Sequence, residues 1–103
     1  MTESEFFNTI KDNLCVVEFC SPDCSPCKIV TPALEELRVE FDKRVQFIKI
    51  DVSESPQVAL RLRVMGVPTV LIFKESEPVD VLYSSYPKHV YRERIEKQLE
   101  QFL

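Results

Sequence analysis

The chain reads as one α/β domain over residues 1–103, built on a mixed four-stranded sheet with helices on both faces, and three observations predict it. Helical and strand-like segments follow one another in the order αβαβαββα, and an alternation of that kind implies parallel crossovers in the first part of the chain. The run Leu14 to Cys20 is almost continuously apolar around one charge, Glu18, as expected of a strand covered on both faces. The last two strand-like runs are close enough for an antiparallel hairpin, which gives the sheet an antiparallel edge.

Each element has its own signal. Thr2-x-x-Glu5 has the form of a capping box and opens a helix to about Lys11, with Phe6, Phe7 and Ile10 able to share one face. Asp12-Asn13 ends it. After the buried strand, Ile29, Val30, Ala33, Leu34, Leu37 and Phe41 recur at helical spacing from about Cys24 to Phe41. Pro32 cannot donate to the Lys28 carbonyl, so a kink is expected between the first turn and the rest. Val45 to Asp51 alternates as a second strand. Ser55-Pro56 reads as an N-cap followed by Pro at the first helical position, and Val58, Ala59, Leu62 and Met65 form the apolar face of a short helix. Gly66, the single glycine, falls where a left-handed C-cap belongs. Val67-Pro68 leads into a third strand, Thr69 to Phe73, and a turn around Glu75 to Pro78 leads into a fourth, Val79 to Tyr83. A last helix from about Pro87 to Leu103 buries Val90, Ile95, Leu99 and Phe102.

Composition excludes several classes of function. A chain of 103 residues, 45% of them hydrophobic, holds one core and one domain. Its net charge of −4 and lack of a basic run argue against a phosphate-binding surface, so nucleic acid is not an expected partner. No segment approaches the roughly 20 apolar residues of a membrane span, and no membrane partner is expected. The opening Met1-Thr2-Glu3-Ser4-Glu5 is acidic and polar, unlike a secretory leader. A cytoplasmic location is therefore expected, and four cysteines in that setting point to redox or metal chemistry.

The chemistry is concentrated in Cys20-Ser21-Pro22-Asp23-Cys24-Ser25-Pro26-Cys27-Lys28. A Cys-x-x-Cys where a strand hands over to a helix sets its first sulfur beside unpaired backbone N–H groups, where the helix dipole favours negative charge. Thiolate is the attacking species, so Cys24 gains reactivity near neutral pH. Cys27 lies about one turn later and can swing back to close a small-ring disulfide. One cysteine attacks and the other resolves. The spacing also occurs in zinc sites, which pair two such units, and there is only one here.

Together these residues make the chain resemble the thioredoxin family over nearly its whole length. The resemblance is carried by Val17-Glu18-Phe19, Cys24-Ser25-Pro26-Cys27-Lys28, Pro32, Phe47-Ile48-Lys49-Ile50-Asp51, Gly66-Val67-Pro68-Thr69, and the closing hairpin and helix. The family's opening strand has no counterpart, since only three residues precede Ser4, so four strands are expected. The resemblance implies a thioredoxin fold and a protein-disulfide reductase. Cys24 matches the exposed nucleophile that forms a mixed disulfide with a partner, and Cys27 the shielded cysteine that resolves it. Pro26 matches the proline between them. Pro68 matches a proline preceded by a cis peptide, with Val67 pairing an extended substrate segment and Ser25 and Pro26 completing the groove. Glu18 stands where the family has a buried aspartate, and Lys49 on its lysine partner. Burial should raise such a carboxyl's pKa and a nearby ammonium partly restore it, tuning a proton acceptor for Cys27. The implied partners are protein disulfides and a reductase donor, acting on a monomer. No cofactor is implied beyond the Cys24–Cys27 disulfide.

The departures from the pattern matter too. Asp23 replaces the family's tryptophan before the nucleophile, Cys20 replaces another, and there is no tryptophan at all. A carboxylate beside Cys24 opposes thiolate formation and repels acidic partners. Ser84-Ser85 stands where a glycine is expected, which would narrow the groove. Cys20 reads first as a small core filler, with a role as an extra redox cysteine competing for Cys24 as the sharper alternative. Cys15 reads as core, His89 as surface or capping, and Lys49 has a surface reading beside the proton-relay one. Two other classes stay open. Cys20-x3-Cys24-x2-Cys27 has the cysteine spacing of radical-SAM iron–sulfur enzymes, against which the short chain and single glycine count. The other is a binding or adaptor module for one dedicated partner with weak general reductase activity.

Overall fold

The computed structural model describes residues 1–11 and 13–102, for 101 and 102 the backbone alone. Asp12 as helix terminator, the packing of Phe102 and the placement of Leu103 lie outside the described residues. The elements run α1 (Glu3–Thr9), β1 (Leu14–Cys20), α2 (Cys27–Phe41), a 3-10 turn (Asp42–Arg44), β2 (Gln46–Asp51), α3 (Pro56–Arg61), β3 (Thr69–Lys74), β4 (Glu77–Tyr83) and α4 (Lys88–Phe102). The four strands form one mixed sheet in the order β2-β1-β3-β4. β1 lies parallel to β2 and antiparallel to β3, and β3 is antiparallel to β4. The β1–α2–β2 unit is thus the one parallel crossover in this sheet, where the alternation of elements implied more; the chain leaves α3 to enter β3 against the direction of β1.

The alternation of side chains along β1 divides the core between two faces. Leu14 and Val16 pack with Val30, Leu34, Leu37 and Phe41 of α2 and with Tyr91 and Ile95 of α4. Cys15, Val17 and Phe19 pack on the opposite face with Phe6 of α1, with Ile10 at its C-cap, and with Val58 and Ala59 of α3. Every residue of β1 is buried, Glu18 included. Parity places Glu18 and Cys20 on the α2 face, in line with Leu14 and Val16. In the parallel register Glu18 stands opposite Lys49, and Cys20 opposite Asp51.

The capping box forms as the sequence implies, with the Thr2 hydroxyl accepting from Glu5 N–H and the Glu5 carboxylate accepting from Thr2 N–H. Other expectations are corrected. In α2 the buried face is Cys27, Val30, Leu34, Leu37 and Phe41. Ile29 is off that stripe and 65% exposed. The helix begins at Cys27 rather than Cys24, and Pro32 lies inside it. Ser55 does not cap α3 with its side chain; its hydroxyl donates to the carbonyl of Met1 and accepts from the N-terminal ammonium. In α4 the largest buried side chain is Tyr91, which the apolar pattern overlooked; its phenol oxygen accepts from the Tyr86 N–H.

The largest correction concerns the end of α3. Gly66 does not take a positive φ; Arg63 does, at 58°. Arg63 N–H donates to the Leu60 carbonyl and Val64 N–H to the Ala59 carbonyl, the paired bonds of a Schellman motif with Arg63 in the left-handed position. The helix stops at Arg61, so its cap falls three residues before the glycine, and Met65 passes out of the helix to 94% exposure. A left-handed residue with a Cβ is strained. Arg63→Gly is therefore expected to stabilise the fold by up to about 1 kcal/mol, measured as a raised denaturant midpoint. An unchanged or lowered midpoint would argue against strain at this position.

The hairpin between β3 and β4 turns through Glu75 and Ser76, at φ 50° and 73°. Two left-handed residues are what a two-residue turn of matching twist requires. Glu77 and Pro78, expected in the turn, belong to β4. Pro78 is tolerated because β4 is an edge strand, and it lies at a register shift opposite Phe73. On the surface, Arg92 pairs with Glu40 and Lys88 with Glu36, tying α4 to α2.

Candidate active site

Cys24 and Cys27 form a disulfide with Cα atoms 5.3 Å apart, at the point where the loop after β1 enters α2. The N-cap position of α2 is Pro26, which offers no capping side chain. The sulfur of Cys24 supplies the missing acceptor, with Cys27 N–H donating to Cys24 Sγ over 3.1 Å. The starting point of α2 at Cys27 thus puts Cys24 ahead of the helix N-terminus, where the first-turn amides and the dipole favour a charged sulfur once the bond is opened. Of the two cysteines Cys24 is the more exposed, though at 8% against 4% for Cys27 both lie low in the surface.

The peptide between Val67 and Pro68 is cis. Pro68 is buried, and Val67 packs against the cluster of Cys20, Cys24 and Cys27. The Thr69 hydroxyl donates to the Gly66 carbonyl and Ser84 N–H to the Pro68 carbonyl, fixing this loop from two sides. Ser84, where the resemblance leads one to expect glycine, holds a left-handed φ of 66°. Ser25 and Pro26 are exposed beside the disulfide. Asp23 is exposed as well, and His89 lies on the surface of α4.

On the α2 face of β1, Glu18 is 4% exposed and its Oε2 accepts a hydrogen bond from the Thr31 hydroxyl of α2. Burial pushes its carboxyl pKa above the usual carboxylate range; the Thr31 bond and the Lys49 ammonium pull it back, and Glu35 adds to the rise. Lys49 stands opposite Glu18 in the β1–β2 register, and its charge acts on the carboxyl from there. Thr31 was not singled out by the sequence. Its signal was the i,i+4 spacing from Cys27, which turns a hydroxyl toward the strand carrying the buried carboxylate.

An open cavity of about 370 Å³ borders the disulfide, lined among others by Cys20, Cys24, Cys27, Lys28, Thr31 and Lys49. Neither Val67 nor Pro68 lines it, so the two sets of neighbours flank the cysteines separately. Cys20 is 4% exposed and its Sγ donates to the Ile50 carbonyl at 3.6 Å. Burial, then the nearby Glu18 charge, raises its thiol pKa. Cys15 is fully buried in β1, and burial pushes its thiol up to about 12. Among the described residues there is no cluster of three or more His, Cys, Asp or Glu able to hold a metal ion, and no helix long and apolar enough to cross a membrane.

A disulfide at a helix N-terminus, a cis Val67-Pro68 peptide whose Val67 packs against the cysteines, and a buried carboxyl bonded to the helix that carries Cys27 define a domain for thiol–disulfide exchange. Comparison with known proteins narrows that class. The family model described as thioredoxin matches residues 1–100. The thioredoxin of Staphylococcus saprophyticus is 39% identical over 99 residues, 96% of this chain and 95% of that protein. The thioredoxin of Staphylococcus epidermidis is 37% identical over the same shares. Oxidised mitochondrial thioredoxin 3 from Saccharomyces cerevisiae superposes with a TM-score of 0.85 at 29% identity, covering 93% of this chain and 90% of that one. The chain belongs to the thioredoxin family, and its fold and active site are those of a protein-disulfide reductase.

Proposed function

We propose that the reduced protein opens disulfides in partner proteins with Cys24 as nucleophile and Cys27 as resolving thiol. The single observation that carries this division of labour is the Cys27 N–H bond to Cys24 Sγ, which singles out one sulfur for stabilisation as an anion. Cys24 thiolate attacks one sulfur of the partner's disulfide, forming a mixed disulfide and releasing the other partner sulfur as thiolate. Cys27, deprotonated, then attacks Cys24, forming the internal disulfide and releasing the second partner sulfur. Two electrons pass to the partner, and a reductase donor returns two to the protein.

Glu18 takes the proton from Cys27, its carboxyl made more basic by burial, with the Thr31 bond and then the Lys49 ammonium countering that rise. Val67, set by the cis bond before Pro68, offers backbone to an extended segment of the partner, with Ser25 and Pro26 on the rim. Cys20 fills space beside the pair as a thiol. We place the protein in the cytoplasm, acting as a monomer, since a reducing compartment keeps Cys15 and Cys20 as thiols and supplies electrons to the pair.

Insulin reduction with dithiothreitol as donor tests this reading. The protein at catalytic amounts should precipitate insulin chains well before dithiothreitol alone does. No acceleration would leave the fold with a docking role instead.

A further inference from the structure

Glu18 does not line the cavity that borders the disulfide, whereas Thr31 does, in company with Cys27 and Lys49. Thr31 is also the residue whose hydroxyl is bonded to Glu18 Oε2. It therefore touches both the buried carboxylate and the space around the resolving cysteine. Cys27 and Thr31 are one helical turn apart on the same side of α2, a spacing that brings Cβ atoms to roughly 5–6 Å. We propose that Thr31 is a positioning residue for the resolving step, its hydroxyl orienting the Glu18 carboxylate and relaying to it the proton that Cys27 gives up. The proposal rests on Glu18 being the proton acceptor for Cys27.

The step balances without any outside reagent. The Thr31 oxygen accepts the Cys27 proton, directly or through a water in the cavity, as its own proton passes to Glu18 Oε2. Cys27 becomes thiolate and Glu18 a neutral carboxylic acid. The thiolate then forms the Cys24–Cys27 bond as the mixed disulfide breaks, and the partner leaves as thiolate. Glu18 later returns its proton to solvent by the same path. A direct exit is closed by its burial.

The setting gives the hydroxyl a second effect that can be read separately. The groups acting on Glu18 are Thr31 and Glu35 from α2 and Lys49 from β2, while Cys20 on its own strand and Tyr91 of α4 feel its charge. The Thr31 bond counters burial and keeps the carboxyl more acidic than burial alone would. Without it the carboxylate becomes available as a base only at higher pH.

The test uses the reduced full chain and a chromogenic aryl disulfide in a stopped-flow instrument. The first coloured thiolate reports attack by Cys24, and the second reports attack by Cys27 on the mixed disulfide. In Thr31→Val, which keeps the shape and removes the hydroxyl, the second phase should slow by roughly tenfold near neutral pH, with its rising pH limb moved to higher pH. The first phase should keep its wild-type rate. Thr31→Ser, which keeps the hydroxyl, should restore both rate and pH limb. A Thr31→Val protein with wild-type second phase and limb would overturn the proposal, as would equal slowing in Val and Ser, or equal slowing of both phases. Should Thr31→Val not fold by circular dichroism, Thr31→Ala against Thr31→Ser makes the same comparison. Glu18→Gln separates the two layers: if it leaves the second phase untouched, the Glu18 reading fails and the relay with it; if it slows that phase and Thr31→Val does not, the relay alone is rejected.

Discussion

Cys24→Ser is expected to be inert in disulfide reduction, at least about 10³-fold slower than wild type and no faster than dithiothreitol alone. A serine hydroxyl stays protonated at neutral pH, so the Cys27 amide and the start of α2 have no anion to stabilise and the partner's disulfide meets no nucleophile. Cys27→Ser should behave differently, because the first half of the reaction is intact. It is expected to accumulate a mixed disulfide through Cys24, seen as a higher-mass band on a non-reducing gel that dithiothreitol removes. The contrast between an inert variant and a trapped one distinguishes the two sulfurs' roles. Equal activity in wild type and both variants would reject dithiol chemistry, and trapping by Cys24→Ser instead would reverse the assignment.

Glu18→Gln should separate stability from turnover. The folded carboxyl has its pKa raised, chiefly by burial, above an unfolded value of about 4.3. The folded chain thus binds this proton more tightly than the unfolded chain does. The sign follows from linkage: the favourable contribution is complete below the unfolded pKa and is lost as pH rises through the window up to the folded one. Above that window wild type carries a buried charge that glutamine does not. The variant should match wild type in acid and exceed it in denaturant midpoint at neutral and mildly alkaline pH. It should also resolve mixed disulfides about 10²-fold more slowly, having no base for Cys27. A variant less stable than wild type at pH 8, or one whose gain persists at pH 4, would show that burial of charge is not what sets the Glu18 environment.

The features legible in the sequence were those determined by local pattern. The run Leu14 to Cys20, apolar but for Glu18, announced a doubly covered strand, and Thr2-x-x-Glu5 announced a cap. Both signals are short-range, and both structures formed where the pattern put them. The dithiol and the proline of Val67-Pro68 were legible because residue type and spacing carry them. Boundaries were less so. Gly66 drew the cap of α3 to itself, yet that helix ends earlier and accepts a strained Arg63. A preference for glycine in left-handed backbone says where strain is absent, not where a helix must stop. Ile29 and Met65 fit the apolar spacing of their helices, but the angle around the axis takes the first out of the core and the early end of α3 takes out the second. Thr31 escaped because its importance comes from a strand thirteen residues away in sequence, and its one local mark, the i,i+4 spacing from Cys27, gains meaning only once that strand is in place.

The bond from Cys27 N–H to Cys24 Sγ bears on how the oxidised molecule is met by its electron donor. In the disulfide form the Cys24 sulfur is tethered to a main-chain amide at the start of α2. The position of the target is therefore set by the scaffold and not by a side-chain rotamer, and each donor that arrives finds it at the same address.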